Sequence, residues 1–70
     1  MRKVIVFTET IITPLDPERT VRLAEECLLE IRLVESRKES SVWLNEYEVK
    51  GDAGRIDKFL GRIKKIENPD

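Results

Sequence analysis

ECLLEIRLVESR, residues 26–37, can be read with two different periods. Val21, Ala24, Leu28 and Ile31 keep helical spacing, and no Gly, Pro or Asn interrupts the chain from Glu18 to Ser41, so a first helix running to Ser36 would give the element order βαβα. Such a helix would put Leu29 and Leu33 on the wrong face, roughly opposite Ala24 and Ile31 at about 100° per residue. The same Leu29, Ile31 and Leu33 alternate cleanly as a strand. The pattern therefore favours a helix ending near Leu29 and a strand from about Ile31 to Arg37, and the order βαββα.

The flanking segments are less ambiguous. Upstream, Lys3–Ile12 is rich in β-branched and aromatic residues and predicts a strand, with Val4, Val6 and Thr8 on one side and Ile5, Phe7 and Glu9 on the other. Pro14 ends it, having no N–H to give and holding Thr13 extended. Asp16-Pro17-Glu18 then reads as a helix start: an N-cap carboxylate, a proline with preset φ, and an acid at the positive helix end. Downstream, Lys38–Ser41 supplies a polar turn, and Ser41–Lys50 predicts a strand. Trp43, Tyr47 and Val49 share one of its faces, expected to lie under the helices, against Val42, Leu44 and two glutamates on the other. Ile56, Phe59, Leu60, Ile63 and Ile66 recur at helical spacing within Arg55–Ile66, and Asn68-Pro69-Asp70 stops that helix.

Seventy residues make one domain, residues 1–70, with a core too small to be comfortable without a staple. A single cysteine, Cys27, excludes an internal disulfide framework, and with no cluster of metal ligands in the sequence the remaining staple is oligomerisation; a homodimer is expected. One cysteine, no signal-peptide pattern and no apolar run approaching about 18 residues predict a cytoplasmic protein without membrane attachment. The 13 basic and 14 acidic residues nearly cancel, so no net charge draws the chain to nucleic acid.

The chain has no histidine, which removes the commonest general base and every His-based triad or zinc motif, and no catalytic residue, metal or cofactor is assigned. Cys27 lies on the apolar side of the first helix with no cation beside it in sequence, as a core residue does. Glu9, Glu46 and Glu48 fall on strands that could be neighbours and so could form an acid/base or metal pair, but in so charged a chain they read as scattered, solvated glutamates. In VKGDAGRI, residues 49–56, two glycines at a strand-to-helix junction suggest a phosphate loop, yet Asp52 stands at the N-cap, where its carboxylate takes the donors an anion would need. Gly51 is then expected in the turn and Gly54 in a weakened first helical turn. Arg55, Lys58, Arg62 and Lys65 form a basic stripe along the second helix, the alternative basis for nucleic-acid binding, read against a solvated or ion-paired face.

The element order, together with EVKGDAGRIDKFLGRIKKI over residues 48–66, resembles ferredoxin-like regulatory modules such as ACT and NIL domains, lacking the last strand of their βαββαβ plan. The resemblance implies an α+β fold, a truncated ferredoxin-like βαββα with an antiparallel sheet and two helices on one face. It implies a small-ligand site at the positions of Thr13, Asp16 and Glu18. It also implies that strand one, deprived of its outer neighbour, is a free edge, and pairing of that edge with its twofold mate would place Val4, Ile5, Val6 and Phe7 at a dimer interface. The function expected is a non-enzymatic regulatory or assembly module, acting as a homodimer and binding a protein partner or small ligand.

Overall fold

The computed structural model describes residues 5–68, and Val4 lies outside them. The order is β1 (Phe7–Thr13), α1 (Pro17–Glu26), β2 (Glu30–Glu39), β3 (Val42–Gly51) and α2 (Ala53–Glu67). The hairpin reading of residues 26–37 holds. The strands form one antiparallel sheet in the order β1-β3-β2, with β3 central.

Register assigns the faces. Glu9, Ile11 and Thr13 of β1 stand opposite Val49, Tyr47 and Asn45, and Ile31 and Leu33 of β2 stand opposite Val49 and Tyr47, so these residues share one face. That face carries the core: Tyr47 and Val49 pack with Ala24 and Cys27 of the α1 segment, Leu29, and Ile56, Phe59 and Ile63 of α2. Thr8, Thr10 and Ile12 lie on the other face with Lys50, Glu48 and Glu46. Overall extents of 50 × 28 × 16 Å fit a single sheet with one helical layer, leaving the second sheet face without a layer over it.

Several boundaries differ from the sequence reading, each for a physical reason. β1 begins at Phe7 and not Lys3, because its partner β3 ends at Gly51, opposite Phe7; Ile5 and Val6 have no residue of β3 to face. α1 stops at Glu26, earlier than Leu29, in a Schellman closure: Leu28 N–H donates to the Glu25 carbonyl at 3.0 Å and Leu29 N–H to the Ala24 carbonyl at 2.9 Å. The residue in the left-handed position is Leu28, φ 57°, and a leucine there gives no sequence warning of a helix end. The β2–β3 turn is two residues, Ser40 and Ser41, with φ of 49° and 70°, the positive-φ pair of a tight I′ hairpin. α2 begins at Ala53, just after the Asp52 cap.

Two features of the hairpin also differ from a simple alternation. Trp43 is 58 % exposed and does not belong to the core: β1 ends opposite Asn45, so the hairpin beyond that row is a two-stranded arm outside the reach of the helices. Val34 is an extra residue in β2, since Leu33 faces Tyr47 and Glu35 faces Glu46. The bulge shifts the alternation by one, which turns Ser36 toward Asn45 and sends Glu35 and Arg37 to the open face.

Candidate functional site

Thr13, Asp16 and Glu18 follow one another along the junction of β1 and α1, and the first two hold it. Thr13 is buried; its hydroxyl donates to Glu67 at the end of α2 and accepts from Leu15 N–H at 3.2 Å. The Asp16 carboxylate accepts the Arg19 N–H at 3.1 Å, and its carbonyl accepts the Thr20 hydroxyl at 2.9 Å. Glu18 is exposed and pairs with Arg22 one turn on, at 3.2 Å. Asp16 thus caps α1 and Thr13 anchors the Pro14 bend, while the Glu18–Arg22 pair lies exposed on the helix surface.

Sequence reading missed the residue that organises this end of the molecule. Asn45, buried on β3, donates from Nδ2 to the Leu15 carbonyl at 3.0 Å and accepts from the Ser36 hydroxyl at 2.6 Å, tying the β1–α1 loop to both strands of the hairpin. The available signal was an Asn in register with Trp43, Tyr47 and Val49 on a strand otherwise apolar on that side.

The other candidates are separated or occupied. Glu9 stands on the helix-bearing face opposite Val49, whereas Glu46 and Glu48 lie on the open face, so the three carboxylates do not converge. Glu48 pairs with Arg32 at 3.4 Å, and Glu46 faces Glu35 across the hairpin. Asp52 caps α2, its Oδ1 accepting the Arg55 N–H at 2.8 Å, so VKGDAGRI is a capped strand-to-helix junction. Gly51 belongs to the strand and not the turn; a Cβ there would meet Leu29 Cδ2 at 2.1 Å, so glycine is needed for the leucine to pack across it. Cys27 is buried beside the end of α1. In the basic stripe, Arg55 pairs with Asp52 at 3.1 Å and Arg62 with Glu26 of α1 at 3.0 Å; Lys58 and Lys65 are exposed and have no ion-pair partner among the described residues. Two of the four charges are thus paired within the fold, one of them across the two helices.

What stands open is the outer edge of β1. β1 pairs with β3 alone, and no strand of the described residues lies on its other side. Ile5, Val6 and Phe7 are 63 %, 61 % and 46 % exposed. Beside the edge, a shallow depression lined by Phe7, Glu9, Ala53, Ile56, Asp57 and Leu60 separates β1 from α2. An edge of this kind offers unpaired backbone donors and acceptors in a row, flanked by apolar side chains, which is a surface for another strand. Among the described residues no helix is long and apolar enough to cross a membrane. No family model matches this chain, and no curated protein or solved structure does either.

Proposed function

We propose that this protein is a non-enzymatic assembly or regulatory module that works as a homodimer in the cytoplasm, joined through the outer edge of β1, and that the dimer engages a protein partner or a small ligand. The observation that carries the reading is the open β1 edge with Ile5, Val6 and Phe7 exposed at its start. Pairing it with a second copy satisfies the free backbone groups and removes apolar surface from water at once, and a twofold pairing closes after two chains. The likeness of the element order to ACT and NIL domains supports a regulatory role. The non-enzymatic reading rests on a chain without histidine whose one thiol is buried. Nucleic-acid binding through α2 has less to recommend it, because the pairing of Arg55 and Arg62 withdraws half of the stripe.

Sedimentation equilibrium tests the reading. The protein should dimerise at micromolar concentration, and Ile5→Lys, at a position exposed in the single chain, should weaken association by about ten-fold or more while leaving a folded monomer. Lys64→Glu, on the exposed side of α2, should leave association unchanged. A parent protein that stays a folded monomer at all concentrations overturns the proposal.

A further inference from the structure

Resting on the β1-edge dimer just proposed, we infer its register: the twofold axis passes through Thr8, so that Thr8 faces Thr8, Phe7 faces Glu9, Val6 faces Thr10 and Ile5 faces Ile11 of the second copy. The occupant of the edge is a second copy of this chain, and four observations narrow how it sits.

The first is parity. A twofold axis between antiparallel edge strands stands perpendicular to the sheet, which keeps the helices of both copies on one side. Residues opposite each other must then belong to the same face, so the axis coincides with a residue and its mate, not with the midpoint between neighbours. Glu9 and Ile11 point to the helix-bearing face and Thr8, Thr10 and Ile12 to the open one, so each candidate centre gives one complete set of pairs.

The second is charge. Centring the pairing on Glu9 would set the one ionised side chain of β1 directly against itself, and like charges directly opposite destabilise a strand pair. The third is reach. Centring on Thr10 would bring Val6 against Pro14, where the chain has already left the strand and no N–H is available, and a later centre would carry Val6 farther past the strand, leaving Ile5 and Val6 as exposed as they are in one copy. Centring on Phe7 errs the other way, setting Ile5 against Glu9 and so depriving Ile11 of the apolar mate that Ile5 would give it.

The fourth is fit. With Thr8 at the centre, Ile5 meets Ile11 on the helix-bearing face and Val6 meets Thr10 on the open face, pairs of β-branched residues that suit cross-strand packing. Phe7 of the second copy comes beside Glu9, at the border of the depression that Ile56 and Leu60 line, giving the ring an apolar floor and leaving the carboxylate at the rim in water. The twofold axis repeats each of these contacts.

Three single-cysteine proteins test the register, each built on Cys27→Ala so that the introduced thiol is alone: Thr8→Cys, Glu9→Cys and Thr10→Cys. Only the residue on the axis meets its own mate. The other two are offset from theirs along the strands by about 7 Å and about 14 Å, too far for a disulfide without backbone movement. Under mild oxidation Thr8→Cys should form a disulfide-linked dimer about ten-fold faster than either of the others. Fastest linking by Glu9→Cys or Thr10→Cys, in proteins that still sediment as dimers, overturns the register and leaves the edge dimer standing. Dimers in which none of the three links overturn the register, and monomeric proteins overturn the dimer and its register together.

Discussion

Both outer strands pair only with β3, yet β2 holds Glu30, Arg32, Glu35, Arg37, Lys38 and Glu39 among its ten residues, with a bulge at Val34, whereas β1 holds one charge, Glu9, among its seven and no bulge. Charges and bulges are how sheet proteins keep an edge from recruiting another strand. In β2 these are reinforced: Arg37 pairs with both Glu35, at 3.3 Å, and Glu39, at 3.5 Å, covering the strand with its own side chains. Such exposed pairs contribute little to stability, and their value lies in the surface they present. The difference teaches that apolar exposure alone does not mark a docking edge. Leu33 and Val34 of β2 are each 45 % exposed, close to Phe7 of β1 at 46 %, but they sit among charges on a bulged strand.

The comparison can be broken most severely where the two edges meet. Gly51 faces Phe7 of β1 across the strand pair and lies against Leu29, the residue that leads into β2. Gly51→Ala would force the buried Leu29 side chain out of its place, and the expected cost is about 1–3 kcal/mol in urea unfolding, the usual range for overpacking. No measurable cost would mean that Leu29 repacks freely and that the seam is looser than its burial indicates. Gly61→Ala is the contrasting control: a Cβ there meets nothing within 4 Å, and removing a glycine from the middle of α2 should stabilise by up to about 1 kcal/mol.

A smaller effect sharpens the contrast from the side of β2. Its chain enters through Leu28 and leaves through Ser40 and Ser41, all at positive φ, and none of the described glycines occupies such a position. Left-handed backbone costs a residue with a Cβ roughly 1 kcal/mol, and Leu28 gains little in return because it is 70 % exposed. Leu28→Gly and Ser41→Gly should each raise the unfolding free energy by about 0.5–1 kcal/mol without altering association, since both flank β2, which β3 separates from the β1 edge. A loss of stability in Leu28→Gly would show that the leucine makes a contact in solution beyond those of the single chain.

These positions also show what sequence could and could not disclose. The strand-forming alternation of Leu29, Ile31 and Leu33 was legible because a buried face imposes a period of two whatever the local propensity. The caps at Asp16 and Asp52 were legible because a carboxylate before a helix acts on atoms only three residues away. The end of α1 was not, because glycine is absent from the position that usually announces it and the closure depends on Leu29 finding its place in the core. Trp43 was misplaced for a related reason: alternation fixes its face but not how far along the strand the helices reach. For the candidate site, only the resemblance to ACT domains points to Thr13, Asp16 and Glu18 as ligand positions. Their engagement with Glu67, Arg19 and Arg22 depends on long-range packing in the first case and on helix geometry in the others.

The smallest expected effect concerns Tyr47, on the strand that both edges share. Its side chain is fully buried and its hydroxyl makes no hydrogen bond. Burial raises the phenol above its ordinary pKa of 10.0, the nearby Thr20 hydroxyl offsets part of the rise, and the Asp16 charge adds to it. In the unfolded chain the phenol ionises near its ordinary value while the folded protein still holds the proton. Above pH 10 the unfolded state therefore binds fewer protons than the native one, and stability should fall as pH climbs through that window and toward the raised folded value. Below it the residue contributes no pH dependence. Tyr47→Phe removes an unsatisfied polar atom from the core, so at neutral pH it should leave stability unchanged or raise it by up to about 1 kcal/mol, and it should flatten the alkaline fall. Because Tyr47 is the one tyrosine in the chain, its phenolate absorbance reports this group alone. Ionisation near pH 10 in the folded protein, or a loss of several kcal/mol in Tyr47→Phe, would show that the hydroxyl has water or a bonded partner in solution and that β3 is less completely sealed beneath the helices than its burial implies.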